Sequence, residues 1–184
     1  MATGQVVNVV ASLKLSCPLD LKRIQNTQKL CTRLRSNALT VKVERSPITA
    51  RVFHTGNVIL LGGKSEKQIK LFANRLVRML VKLGFHDCKK TSLNVTNVVA
   101  SCNLSSELDL ERFGQDYCAN STYEITLFPG LNFTFGKRDM TNKKVGTVFR
   151  QGTVYVTGFR SEYEALEALA KLRDMLKNYK KNKQ

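Results

Sequence analysis

The pentapeptide Asn8-Val9-Val10-Ala11-Ser12 reappears 89 residues later as Asn97-Val98-Val99-Ala100-Ser101. At the same offset Leu15-Ser16 matches Leu104-Ser105, and Leu19-Asp20-Leu21 matches Leu108-Asp109-Leu110. Further on the offset becomes 96. Val52-Phe53-x-x-Gly56-x-Val58 matches Val148-Phe149-x-x-Gly152-x-Val154, and Gly62-x-x-Ser65-Glu66 matches Gly158-x-x-Ser161-Glu162. Ordered matches at two near-equal offsets signal a duplication. The copies run over residues 5–92 and 94–180, and the second carries about seven extra residues around Lys137 to Lys144.

Each copy has legible periods. Residues 5–15 are Val-rich and read as a strand, while 19–34 are helix-compatible, opening at Leu19-Asp20-Leu21. Leu39-x-Val41-x-Val43 alternates as a half-buried strand does. Ala50 to Phe53 and Asn57 to Leu61 form two strands joined by His54-Thr55-Gly56. Ser65-x-x-Gln68 is a capping box that opens a long helix with Ile69, Phe72, Ala73, Leu76, Leu80 and Leu83 on one stripe. In the second copy Ser161-x-x-Glu164 caps a helix with Ala165, Leu166, Leu169, Leu172 and Leu176 inward. The expected copy is strand, helix, several antiparallel strands, long helix. One copy leaves a sheet edge open and buries too little, so two copies joined edge to edge are expected to share a sheet. The long helices cover one face, and the other is free for function.

Composition narrows that function. The 184 residues hold 30 Lys+Arg against 14 Asp+Glu, a formal net charge of +16 with 42% hydrophobic residues, the balance of a folded chain that seeks polyanions. No apolar run approaches the roughly 20 residues a membrane span needs, and Met1 to Val10 shows no secretory pattern. A soluble intracellular protein with no membrane partner is expected. The cysteines at 17, 31, 88, 102 and 118 lack C-x-x-C spacing, and His54 and His86 stand alone, so neither a disulfide framework nor a metal site is expected. Asn-x-Ser/Thr matches at Asn94, Asn103, Asn120 and Asn132 are chance matches in that setting. No Ser/His/Asp arrangement and no phosphate-binding Gly loop is present, so the chain is expected to be no enzyme and to hold no cofactor.

Period-2 geometry sorts the strand residues by face. If Val52 points at the helices, Arg51 and Phe53 point to the open face, with Ile59 and Leu61 beside them. The second copy offers Thr147, Phe149, Tyr155 and Thr157 there. From the first strands come either Asn8 with Val10 or Val9 alone, and likewise Asn97 with Val99. A sheet face carrying Phe, Val, Ile and Leu beside paired Asn is either a nucleic-acid surface or a second hydrophobic layer or dimer interface. The net charge favours the first.

The Asn-Val-Val-Ala-Ser repeat, Ser121-Thr122-Tyr123-Glu124 followed by Leu127-Phe128-Pro129-Gly130-Leu131, the Val-Phe-x-x-Gly hairpins and the Gly-x-Lys/Arg-Ser-Glu entries to the long helices resemble the TATA-box-binding protein family. The resemblance covers the chain from about Val6 to the last helix. It implies an α+β saddle, with two tandem pseudo-symmetric repeats in one curved antiparallel sheet and two long helices on the convex face. It implies minor-groove binding with phenylalanines driven between base steps from a loop, the stirrup, at each end. By position Phe128 and Phe149, with Pro129 shaping the loop, are the wedge pair of the second copy, and Phe53 is one of the first pair. Its partner is expected near Asn37 or Ala38, where there is no aromatic. Asn8 and Asn97 are the central amides, flanked by Val10 and Val99, which implies A·T preference because a buried guanine amino group would find no acceptor.

The same carry-over places Arg51, Ile59, Leu61, Tyr155 and Thr157 on the groove, and Lys64 and Arg160 on phosphates. Arg51, Tyr155 and Leu61 depart from the family's small groove residues. Asn57 and Thr153 stand where the family usually has Lys, which implies a shallower salt dependence. Residues 1–92 carry 17 basic and 4 acidic groups, net +13, and 93–184 carry 13 and 10, net +3. Much of the first surplus lies on the helix after Ser65, where Lys67, Lys70 and Arg78 face an acidic partner, flanking DNA or solvent. The family implies general transcription factors of the A and B type as partners, with Glu124 one of two acidic B-type contacts and Thr126 replacing the other. The run from Lys177 to Lys183 is expected to be a frayed tail. The leading expectation is a divergent promoter-binding member acting in the nucleus, or in a viral transcription compartment, that bends A·T-rich DNA and nucleates initiation complexes. The alternative is a specialised paralogue that binds DNA weakly and acts through proteins. A third reading, a ligand-binding protein or enzyme with an enclosed pocket, needs convergent polar groups that the sequence does not offer.

Overall fold

The computed structural model describes residues 3–26, 31–35, 37–43, 45–136 and 143–181. The chain divides into two compact units, Asn8–Thr96 and Met1–Val7 with Asn97–Gln184.

In the Asn8–Thr96 unit, strands β1 (Gln5–Leu15, from Asn8 onward), β2 (Cys31–Arg35), β3 (Ala38–Lys42), β4 (Thr49–Phe53) and β5 (Asn57–Gly63) form an antiparallel sheet in the order β2-β3-β4-β5-β1. The first residues of β6 (Lys90–Asn103) lie beside β1, where Thr96 Oγ1 donates to the Val10 carbonyl at 3.2 Å. Helix α2 (Glu66–Lys82) buries Ile69, Phe72, Ala73, Leu76 and Leu80 against the inner face, which Val9, Ala11, Leu13, Leu39, Val41, Val52, Val58 and Leu60 complete. Each large aliphatic or aromatic side chain so buried contributes about 1.5–3 kcal/mol. Ser65 caps the helix as expected, its hydroxyl accepting the Gln68 N–H at 3.2 Å while Gln68 Oε1 accepts from the Lys64 N–H.

In the other unit β6, β7 (Ser121–Thr122), β8 (Gly130–Thr134), β9 (Val145–Phe149) and β10 (Thr153–Phe159) lie in the order β6-β10-β9-β8-β7. Helix α4 (Glu162–Leu176) covers one face with Ala165, Ala168, Leu169, Leu172 and Leu176, and α3 (Leu110–Asp116) packs Phe113 among Tyr117, Phe133 and Tyr179.

Four sequence expectations are corrected. Of the helix expected over 19–34, the described residues show α1 (Leu21–Gln25), capped by Asp20, and a strand at its end, because Cys31–Arg35 as β2 completes a ladder with β3 that further helix there would forfeit. Ser161 makes no side-chain cap, and Glu164 pairs instead with Lys144 at 3.1 Å. Leu166 is 37% exposed, not inward. The tail is tied down as far as Lys181: Tyr179 Oη donates to Asp116 at 2.7 Å, its carbonyl accepts the Asp109 N–H, and the Lys181 N–H donates to the Glu107 carbonyl. The extra residues expected around Lys137 to Lys144 fall mostly on 137–142, outside the described residues.

Candidate nucleic-acid interface

In each unit the helices cover one sheet face and leave the other open. Alternation along β1 puts Val9 and Ala11 fully in the core and turns Asn8, Val10, Ser12 and Lys14 outward. The pairing of Asn8 with Val10, not Val9 alone, is therefore the one on the open face. On β4 and β5, Ala50, Val52, Val58 and Leu60 point inward, leaving exposed Arg51 and half-buried Phe53, Ile59 and Leu61 outside. The other unit repeats this arrangement. Val98 and Ala100 are buried, and Asn97, Val99, Thr147, Phe149, Tyr155 and Thr157 face out.

The two asparagines are held alike. Asn8 Oδ1 accepts the Gly62 N–H at 3.0 Å, and Asn97 Oδ1 accepts the Gly158 N–H at 2.8 Å and the Thr157 hydroxyl at 3.3 Å. Both glycines sit at irregular steps in their ladders with φ of +93° and +91°, where a Cβ would press on the carbonyls of Pro47 and Lys143. A backbone N–H can face only the amide oxygen, so this bond fixes each side chain's orientation. The Nδ2 groups remain unengaged among the described residues and keep both donors.

The aromatic content of the two faces differs. Phe128 and Phe149 pack at 5.8 Å between ring centroids, and Phe149 meets Tyr155 edge-on at 6.2 Å. Gly130 stands opposite Phe149 across β8–β9, and a Cβ there would lie 2.7 Å from the Phe128 ring. Phe128 and Leu127 donate their N–H groups to the Glu124 carbonyl at 2.9 and 3.0 Å, closing a tight turn that leaves Glu124 and Pro129 exposed, Leu127 84% exposed and Phe128 41% exposed. In the Asn8–Thr96 unit Ala38 stands opposite Phe53. The register thus puts the counterpart of Phe128 at position 36, one residue before Asn37 and two before Ala38, near which it was expected. Position 36 is a serine and lies outside the described residues.

Lys64, Arg160, Lys67, Lys70 and Arg78 are exposed, the last three on the outer surface of α2. Sequence reasoning omitted Lys14 and Lys42, which alternation from Ser12 and Thr40 puts on the open face. Among the described residues no group of three or more His, Cys, Asp or Glu side chains could hold a metal, and no helix is long and apolar enough to cross a membrane.

Residues 3–83 and 92–179 match the family model described as transcription factor TFIID (or TATA-binding protein, TBP). The TATA-box-binding protein of Schizosaccharomyces pombe is 32% identical over 179 residues, covering 95% of this chain and 74% of the relative. The TATA box-binding protein-like 2 of Danio rerio is 32% identical over 96% of this chain, which spans 56% of that relative's length. Methanococcus jannaschii TBP superposes with a TM-score of 0.76 at 24% identity, over 95% of this chain and 98% of that one. The last likeness shows the α+β fold expected from the sequence.

Proposed function

This chain belongs to the TATA-binding protein family, one of non-enzymatic DNA-binding transcription factors, and from that premise we propose that it binds A·T-rich duplex DNA in the minor groove, bends it and nucleates a transcription initiation complex. The observation that carries this reading is the orientation of Asn8 and Asn97, whose oxygens are occupied by the Gly62 and Gly158 N–H groups. What each amide presents outward is a donor. In the minor groove A·T and T·A pairs offer only the acceptors N3 and O2, while G·C adds an amino donor. Donor against donor is unpaired, and the flanking Val10 and Val99 give the guanine amino group no acceptor, so a G·C pair at these positions costs about 1–3 kcal/mol.

Phe128 and Phe149 supply the wedge. Insertion between base steps costs a few kcal/mol per step and opens the groove to the apolar face around them. On this reading the chain is two tandem copies, residues 5–92 and 94–180, each taking part of one duplex, with Lys64 and Arg160 on phosphates. Partners are general transcription factors of the A and B type, met through Lys67, Lys70 and Arg78 on α2 and through Glu124 beside the wedge loop. The working compartment is the nucleus. The serine at position 36 favours a second reading, a paralogue that bends DNA less and acts chiefly through proteins.

A binding titration at fixed salt on A·T-rich and G·C-rich duplexes, with end-to-end distance read by fluorescence transfer, tests the proposal. Tighter binding and shortening of the A·T-rich duplex are expected. Equal affinity for both would sink it, and A·T preference without shortening would favour the paralogue reading.

A further inference from the structure

Among the side chains that the structure describes, three cations stand on the open face of the Asn8–Thr96 unit: Lys14 on β1, Lys42 on β3 and Arg51 on β4. All three are exposed, and among the described residues none makes a side-chain hydrogen bond or ion pair. The ladders give their counterparts in the other unit. Phe53 pairs with Ala38 as Phe149 pairs with Gly130, so two residues before each Phe stand Arg51 and Thr147. Four residues after Ala38 and Gly130 stand Lys42 and Thr134. Six after Asn8 and Asn97 stand Lys14 and Asn103. The neutral set is turned to internal use: Thr147 donates to Asn132 at 2.9 Å, Asn103 accepts the Ser105 N–H at 2.7 Å, and Thr134 is 5% exposed. The cationic set lies on the face of Phe53, which meets no other ring among the described residues, whereas Phe149 has Phe128.

One phenylalanine beside these cations recognises something different from a pair of phenylalanines beside neutral groups. Without the second ring, less base surface is unstacked and the groove stays narrower. A narrow A·T groove concentrates negative potential and attracts an inserted arginine, whose planar fork of donors suits the acceptors on its floor. Arg51 is placed for this. It pairs with Ile59 in the middle of the face, and Ile59 pairs in turn with Ser12. Lys42, opposite Thr49, lies on one side of it, roughly 8 Å away by strand spacing and rise, and Lys14, opposite Asn57, lies on the other, roughly 12 Å away. The two lysines thus flank the arginine as phosphates flank a groove floor.

We propose that this face grips duplex DNA by inserting Arg51 into a minor groove left narrow, with Lys14 and Lys42 on the phosphates of its two walls, so that this half of the protein selects for groove width where the other half selects for a step that can be kinked. The proposal rests on the minor-groove reading above.

The test uses the full chain, three duplexes of equal length and a salt series: one built on A-tracts, one on alternating TA steps, one G·C-rich. R51T and the double variant K14N/K42T install the residues of the other unit on exposed strand positions. R51T is expected to lower affinity for the A-tract duplex about tenfold, the scale of one specific arginine contact, and for the TA-step duplex much less. R51K should keep the salt dependence without restoring the A-tract preference. K14N/K42T should reduce the slope of log affinity against log salt by about 1.8, equally on both A·T duplexes. Equal losses from R51T on both A·T duplexes, or an unchanged slope in the double variant, would overturn the proposal while the unmodified protein still prefers A·T over G·C. Loss of that preference in the unmodified protein itself would bring down the minor-groove reading, and this proposal with it.

Discussion

Ala38 lies directly across the β3–β4 ladder from Phe53, as Gly130 lies across β8–β9 from Phe149. The equivalence is exact in register and unequal in consequence. Phe149 has Phe128 at 5.8 Å, two residues before Gly130, whereas two residues before Ala38 the sequence has Ser36.

Bending should therefore be asymmetric. A lone phenylalanine enters a flexible step but unstacks less of it, so the duplex kinks sharply where Phe128 and Phe149 act and weakly where Phe53 acts. Comparison of F128A, F149A and F53A by fluorescence distance on end-labelled duplexes should give the larger loss of bend for the first two. A larger loss with F53A would point to a further wedge in the Asn8–Thr96 unit.

Discrimination between base pairs should collapse when the outward amides go. N8A/N97A removes both donors and leaves the Gly62 and Gly158 N–H groups without their acceptors. Affinity for an A·T-centred duplex should fall, and the gap to a G·C-centred one should narrow by about 1–3 kcal/mol. Titration of both duplexes at one salt concentration checks this, and a melting curve separates it from the cost of the two orphaned N–H groups.

Cysteine chemistry should follow burial. Cys88 is 2% exposed, and its thiol is pushed up from 9.0 to about 12, first by burial and then by the neighbouring Cys17 thiol. The folded state thus holds this proton more tightly than the unfolded chain does. The resulting stability is fully present below pH 9 and is lost as pH rises from 9 towards 12. The melting temperature should decline over that window, less so for C88A. At pH 8 iodoacetamide should label exposed Cys118 well before Cys88, as peptide mass mapping would show.

The repeat told most of the fold because a duplicated sequence must satisfy the same patterning twice. Val9, Ala11, Val98 and Ala100 alternate inward, and Ile69, Phe72, Leu76 and Leu80 fall on one helical stripe. The family match came through contiguous motifs such as Leu127 to Leu131, which keep their meaning without a structure. What escaped depended on long-range partners. Cys31–Arg35 reads as the end of a helix until its ladder with Ala38–Lys42 is known. The orientation of Asn8 needs Gly62, 54 residues away, and the tether of Tyr179 needs Asp116, 63 residues away. Lys14 and Lys42 obey the same alternation as Arg51 but lie outside the motifs that carry the resemblance.

The helix caps give the sharpest test of how far the two copies have diverged. Both long helices follow the same Gly-x-Lys/Arg-Ser-Glu sequence, yet only Ser65 uses its hydroxyl, accepting the Gln68 N–H at 3.2 Å. Ser161 has no side-chain cap, and the residue three positions on, Glu164, is held by Lys144 at 3.1 Å. Replacing an N-cap serine by alanine costs typically about 1 kcal/mol because one of the first N–H groups loses its acceptor. That cost applies to S65A. S161A removes a hydroxyl that caps nothing, so it should cost only a few tenths of a kcal/mol. Urea unfolding of the two variants beside the unmodified chain, at unchanged slope, should give a lower midpoint for S65A and almost none of that shift for S161A. Equal shifts would mean that Ser161 caps its helix in solution after all.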